Sequence, residues 1–438
     1  MSEPIWKKSG HADVPAAIME FLAGQDVVLD RELLEFDIRA SRAHARGLGR
    51  IGVVSSGDAE ALCKELDALD VAVRGGEFEL DDRFEDGHSA IESWLTERLG
   101  EIGKRIHTGR SRNDQVAVAL RLYLVERLDR LRQACCEIAA ACLQRAHSER
   151  DVPLPGHTHL QQAMPSSLGL WWGGHAEAFV DNADLTLRIR DWLNASPLGT
   201  ASGFGVNLAL DRDGVAEELG FPRLVVNPQN AQSGRGKVEL RALDALSAAT
   251  SDLRRLCWDL SLFASQEFGY VEVAADFCTG SSIMANKHNP DAVELLRSLH
   301  ATVVGARAEL DAVLGLPSGY QRDLQDTKPP LLRAFSRGLD GLALVPSLLS
   351  GLEWNRDTMR AAIAPALHAT DRANELVAEG QSFRDAYRQV ADELDSLHQR
   401  TPEDSLAART SPGGCADLLL DRIADRLDRL RGDKSAPG

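Results

Sequence analysis

No stretch of the 438 residues approaches the ~20 consecutive apolar residues that a membrane-spanning helix needs, so no membrane association is expected. The opening residues, Met1 to Lys8, contain no apolar signal segment, which predicts a cytoplasmic location. Cysteines number only seven, an odd count, and they are scattered, with Cys135 and Cys136 adjacent on a helical pattern. That usage speaks for reduced thiols, against a disulfide framework and against a metal-ligating set. Basic residues are the minority: 49 Lys and Arg against 66 Asp and Glu leave a formal charge of −17. Nucleic acid is therefore a poor partner, and an anionic substrate would have to be held by locally clustered Arg and Lys. Strand-like alternation is almost absent, and no internal repeat or low-complexity block is present.

What the chain does have is helical periodicity. From Arg110 to Val152 there is neither Gly nor Pro, and Leu120, Leu124, Leu128, Leu131, Cys135, Ile138 and Cys142 recur every three or four residues. The pattern predicts one very long helix, about 60 Å if roughly 40 residues rise 1.5 Å each. A second run spans Lys237 to Phe268, and a third follows Pro290 with Gly305 as its one break. Ser166 to Asn194 and Leu331 to Leu352 carry further helical patterns, and Cys415 to Leu430 reads as a last amphipathic helix. The tail after it, Gly432 to Gly438, is expected to be disordered. These patterns define an all-α chain with three domains: an N-terminal helical domain over 1–109, a central bundle of long helices over 110–359, and a small helical domain over 360–438. The apolar faces are broader than one subunit needs, which predicts homo-oligomerisation through the bundle.

Between the helices lie loops at 107–115, 156–161, 196–205, 279–289 and 317–328 that hold the unusual chemistry. Residues 279–294 mix small, flexible and charged side chains without a core-forming period. Asn289, Pro290 and Asp291 read as N-cap, first helical residue and acid on the helix dipole, so a helix is expected from Pro290. Lys287 would add positive charge beside that N-terminus, a setting that suits an anion. In 107–115, Arg110 and Arg112 bracket Ser111, an arrangement suited to carboxylate capture, although a solvated basic helix end has the same composition. His157 and His159 have an HxH spacing but no acid or thiol nearby in sequence, so an ordinary turn is the simpler reading. Gly199, Gly203 and Gly205 outline a dinucleotide-like pattern with no strand before it, so a nicotinamide site is not expected.

Residues 279–294 resemble the signature loop of the fumarase/aspartase superfamily, with Gly280, Ser281, Ser282, Met284, Lys287 and Asn289 at matching positions and Ala285 where the family usually has proline. The run His107-Thr-Gly-Arg-Ser-Arg-Asn-Asp-Gln115 resembles that of argininosuccinate lyases, in which Ser111, Arg112 and Asn113 would contact the fumarate half of the substrate. Thr158 and His159 match the superfamily's Thr-His-x-Gln, with Thr158 a substrate contact and His159 paired with Glu294. The stretch around Tyr320 resembles the lyase's Gly-Tyr-x-Arg-Asp-Leu-Gln segment, which implies that Tyr320, Gln325 and Lys328 would meet the arginine half or its linking carboxylate, and shorter matches carry over Asp30, Asp86, His88 and Arg255. Residues 227–236 depart from the family pattern and are given no role.

The resemblance implies cofactor-free elimination of L-arginine from argininosuccinate to leave fumarate, the last step of arginine biosynthesis. It also implies a homotetramer with shared sites, Ser281 as base, and Lys287 and Asn289 holding the dianion. His159 is the other candidate base. Two other readings compete: a sister lyase acting on adenylosuccinate, disfavoured by the lack of a dedicated phosphate cradle, and a non-catalytic structural homologue, disfavoured by the presence of Ser281, His159, Lys287 and Glu294.

Overall fold

A computed structural model describes residues 25–397 and 400–432, with Pro15, Ile18, Phe21 and Leu22. The expectations for the opening residues and for 433–438 lie outside the described residues.

The predicted long helix is present as α4, Arg112–Ser148, 37 residues and so about 55 Å long. Its start is set by Ser111, whose hydroxyl accepts the Asn113 N–H while Asp114 accepts the Ser111 N–H at 2.9 Å, a reciprocal cap. Leu120, Leu124, Leu128, Leu131, Cys135, Ile138 and Cys142 are all buried, so the apolar period marks a real core face. Before α4 come α1 (Leu34–Arg50), α2 (Ser56–Arg74) and α3 (Gly87–Leu99). They close a separate cluster around Leu62, Leu66, Leu69, Ile91, Leu95 and Ile106. Helix α1 also faces the bundle, where Phe36 meets Tyr123 of α4 edge-on at 5.8 Å.

After α4 the chain forms an antiparallel hairpin, β1 (Pro153–Thr158) and β2 (Gln161–Ser167), with Thr158 opposite Gln161. Its two-residue turn is His159 and Leu160, both left-handed at φ 55° and 58°. Side chains other than Gly, Asn or Asp are unusual there, so the turn holds strain. This corrects the reading of 156–161 as a loop: Pro153, Pro155 and Gly156 hide the strand pattern from the sequence.

The bundle continues with α5 (Leu168–Leu193), the short α6 (Pro228–Ser233), α7 (Lys237–Phe263), α8 (Asp291–Val313) and α9 (Lys328–Ser350). Helix α8 runs through Gly305 without a break. Gly338 lets α9 approach α7 closely, since a Cβ there would lie 2.9 Å from a Leu246 methyl. Ahead of α8, Thr279–Gly280 (β3) and His288–Asn289 (β4) pair as a two-stranded ladder. In the last segment α10 (Ala369–Ala378) and α11 (Phe383–Asp392) form a small cluster of their own. The final helix, α12, spans Leu420–Gly432 and begins five residues later than its apolar pattern suggests, after Leu419 at φ 52°. It returns Leu420, Ile423, Leu427 and Leu430 to the main core against α4 and α5.

Candidate active site

Long helices deliver their ends to one region, where the N-terminal segment, α3, α4 and α9 meet. Lys328 opens α9 and is buried there, its ammonium 2.6 Å from Asp26 and 2.9 Å from Asp30. Burial alone would depress the Lys328 pKa, but the charges of Asp30 and Asp26 outweigh it and the group is held cationic. Asp30 also accepts the Gly87 N–H at 3.1 Å, which ties this triad to the start of α3. Asp86 caps α3, accepting the Ser89 N–H at 2.7 Å. Its other oxygen faces Arg112 at 3.2 Å, and Glu85 holds the same guanidinium at 2.8 Å. Burial would raise the Asp86 pKa, yet the charges of His88 and Arg112 and the Ser89 bonds pull it below the usual carboxylate range. His88 is buried and hydrogen-bonded through Nδ1 to Asp37. Burial opposes its charge, but Asp37, Asp86 and Asp30 together lift its pKa to about 9. Its Nε2 has no partner among the described residues.

The structure therefore brings Asp30, Asp86, His88, Arg112 and Lys328 into one connected network. Ser111 and Asn113 sit beside it at the start of α4, Ser111 half-buried with its hydroxyl proton free for a further acceptor. Gln325 donates to the Leu22 carbonyl at 2.9 Å. Tyr320 is half-buried, and neither it nor the exposed Arg255 makes a side-chain hydrogen bond among the described residues. One expected arrangement is absent: Arg110 is buried and donates to Ser41 at 2.8 Å, so Arg110 and Arg112 do not flank Ser111 as a pair. His107, next to both guanidiniums, is pushed down to about 4 by burial and then by the charges of Arg110 and Arg112.

The remaining candidates lie elsewhere and face outward. Thr158 and His159 are exposed at the tip of the hairpin. Ser281 begins the loop between β3 and β4, and its Oγ accepts the amides of Met284 at 3.0 Å and Ile283 at 3.3 Å. Lys287 is exposed at the end of that loop. Asn289 does not cap the helix, which corrects the expectation: it lies in β4 opposite Thr279, α8 begins at Asp291, and Pro290 occupies the cap position without a side-chain bond. The side chain of Asn289 makes no hydrogen bond among the described residues. Glu294 is exposed and 3.9 Å from Arg297, and within one chain no hydrogen bond or ion pair joins it to His159 among the described residues.

Sequence reasoning missed Asp26, Asp37, Glu85 and Asp114. Asp26, Asp30 and Asp37 stand four and seven residues apart, a readable acidic stripe amid apolar neighbours. Asp114 is fully buried and accepts the amides of Gly199 at 3.0 Å and Ala201 at 2.9 Å, so it locks the glycine-rich loop onto the start of α4. The unassigned stretch 227–236 supports that loop from behind: Gln232 donates to the Ala201 carbonyl at 3.1 Å, and the buried Arg235 pairs with Glu239 at 3.1 Å.

A bundle of long helices with polar loops at its ends, one of them bearing the Gly-Ser-Ser signature, defines a helical lyase. A family model described as Lyase matches residues 10–305. Among solved structures, an EDDS lyase in complex with formate superposes with a TM-score of 0.78 at 22% identity, covering 96% of this chain and 92% of that one. A class II fumarase from Schistosoma mansoni has a TM-score of 0.69 at 17% identity, covering 85% and 90%. At those identities the likeness is one of fold. An argininosuccinate lyase of Stenotrophomonas maltophilia is 54% identical over 98% of this chain and 100% of its own length. One from Xylella fastidiosa is 52% identical over 100% and 98%. The chain belongs to the argininosuccinate lyase family.

Proposed function

We infer that the protein splits argininosuccinate into L-arginine and fumarate without a cofactor. The observation that carries this reading is the identity to argininosuccinate lyases over essentially the whole chain, together with the loop residues quoted above. The chemistry needs a base for a weakly acidic C–H next to a carboxylate, donors for the dianion that results, and a proton or charge partner for the departing guanidino nitrogen. Ser281 is the base. Two loop amides already donate to its Oγ, an arrangement that favours an alkoxide, and Lys287 is the nearby cation in sequence that would strengthen it. Asn289, free of capping duty, and Lys287 hold the dianion. Ser111, Arg112, Asn113 and Thr158 take the carboxylates of the fumarate half. Tyr320, Gln325 and Lys328 meet the arginine half or its linking carboxylate, and Asp30, Asp86, His88 and Arg255 are further substrate contacts. His159, oriented by Glu294, stabilises or delivers charge at the leaving nitrogen.

Because the hairpin tip and the Ser281 loop face outward while the start of α4 is tied into the network of its own subunit, we take the working unit to be a homotetramer in which each site draws on several chains. We also keep the division at residues 109 and 359. A cytoplasmic location is supported by seven free cysteines, and no helix of the described residues is long and apolar enough to cross a membrane. The direct test is to supply purified protein with argininosuccinate alone and follow fumarate by its ultraviolet absorbance. Absorbance should rise. A rise with adenylosuccinate instead would move the assignment to the sister reaction, and no rise with either would leave a structural protein.

A further inference from the structure

At the end of the bundle where α5 finishes and α7 begins, a cavity of about 270 Å³ is lined by three cationic side chains, Arg121, Arg223 and Lys237, and by no carboxylate. Trp192, Leu224, Val225 and Val226 form its apolar wall. Arg121 projects from α4 and spends one N–H on the Leu193 carbonyl, and it makes no ion pair among the described residues. Arg223 donates to the Trp192 carbonyl at 2.5 Å, and the Lys237 ammonium lies 5.7 Å from the Trp192 ring centre. Neither is neutralised by an acid among the described residues. Glu239 is the acid whose charge acts on Arg121, but it is committed to Arg235 at 3.1 Å.

Burial and the neighbouring charges of Arg223 and Arg235 bring the Arg121 pKa down to about 10 despite Glu239, so the guanidinium sits in surroundings that disfavour its charge. An anion would relieve that cost. The third contribution comes from α7 itself, a 27-residue helix that starts at Lys237 with Gly236 as N-cap and no side-chain cap, its first turn lining the cavity. Its positive dipole end adds to the three cations.

We propose that this cavity is a second ligand site, separate from the catalytic residues, that binds a small molecule bearing phosphate or carboxylate groups. The oxyanion sits between Arg121, Arg223 and Lys237 at the start of α7, and the body of the ligand lies on the Trp192 face. Such a ligand would bridge α4, whose first turn carries Arg112 and Asn113, to α7.

Calorimetric titrations with inorganic phosphate and, separately, with citrate test this on the intact protein. The expected result is saturable binding of at least one probe, one per chain. It should weaken by about tenfold or more in Arg223→Gln and in Lys237→Gln, since each removes a charge-assisted contact, and be unchanged in Arg112→Met. Arg223 and Lys237 are exposed, so these variants should fold normally; Arg121→Gln is the more severe companion, checked by circular dichroism. Failure of both probes to saturate overturns the proposal. So does binding that is lost in Arg112→Met and kept in Arg223→Gln, which would place the anion in the catalytic site.

Discussion

Ser281 and His88 show two ways in which surroundings tune a side chain. A free serine hydroxyl is far too weak an acid to act as a base near neutral pH, and the two amides converging on Ser281 Oγ are what make the assignment chemically reasonable. Ser281→Ala removes that oxygen and leaves Arg112, Asn113 and Lys287 in place. Turnover should fall by about 10²–10⁴-fold, the usual span for loss of a general base, while calorimetry still detects substrate binding. Wild-type turnover would transfer the base role to His159. His88 is tuned in the opposite sense, its pKa lifted to about 9 by acids that outweigh its burial. The folded state binds this proton more tightly than the unfolded chain, whose histidine titrates near 6.5. The stabilisation is therefore full below about pH 6.5, declines above it, and is gone once pH passes about 9. Asp37→Asn removes the hydrogen-bonded partner, so nuclear magnetic resonance should show the His88 titration moving well below 9, and the decline in melting temperature between pH 7 and 9 should flatten. An unmoved titration would mean that Asp86 and Asp30 suffice.

At the scale of elements, Asp114 does two jobs: it completes the cap of α4 and fastens the glycine-rich loop through the Gly199 and Ala201 amides. Asp114→Ala leaves three N–H groups without their acceptor in a buried place, a loss of at least about 1–3 kcal/mol. The expected outcome is a lower melting temperature at fixed protein concentration together with weaker substrate binding, because Ser111, Arg112 and Asn113 ride on the same turn. Unchanged stability would mean that water or a neighbouring group replaces the carboxylate. This residue also marks the boundary of what sequence could reveal. The long helices were legible because period and the absence of Gly and Pro are local properties, and α4 starts within two residues of its expected position. The β1–β2 hairpin was not, since its prolines and glycine mask alternation. Asn289 was misread because Asn-Pro-Asp is a good local cap pattern, whereas its pairing with Thr279 depends on a residue ten positions back. The loops could be picked out by composition and resemblance, but the partners that tune them, Asp37 for His88 and Glu85 for Arg112, come from distant segments brought together by the fold.

For the whole molecule, the decisive feature is where the loops do not meet. The network around Lys328 and Arg112 lies where the N-terminal segment joins α4 and α9, while His159 sits exposed at the tip of a strained hairpin and Ser281 is half-buried at the start of the otherwise exposed loop ahead of α8. Exposed polar loops and broad apolar helix faces, with Leu295, Val304 and Leu344 all exposed on α8 and α9, fit a subunit that completes both its core and its site by assembly. Such sharing has a consequence that a self-contained site lacks. His159→Asn and Ser281→Ala should each be inactive alone, yet unfolding and refolding them together should restore activity. If hairpin and loop come from different chains, about a quarter of sites in an equal mixture receive neither lesion by random assortment. The control is Ser281→Ala mixed with Lys287→Met. Both lesions lie on one loop of one chain, so every site carries one of them and mixing should restore nothing. Should the first pair stay as inactive as the control while mixed oligomers demonstrably form, the hairpin and the Ser281 loop must serve the same site from a single chain.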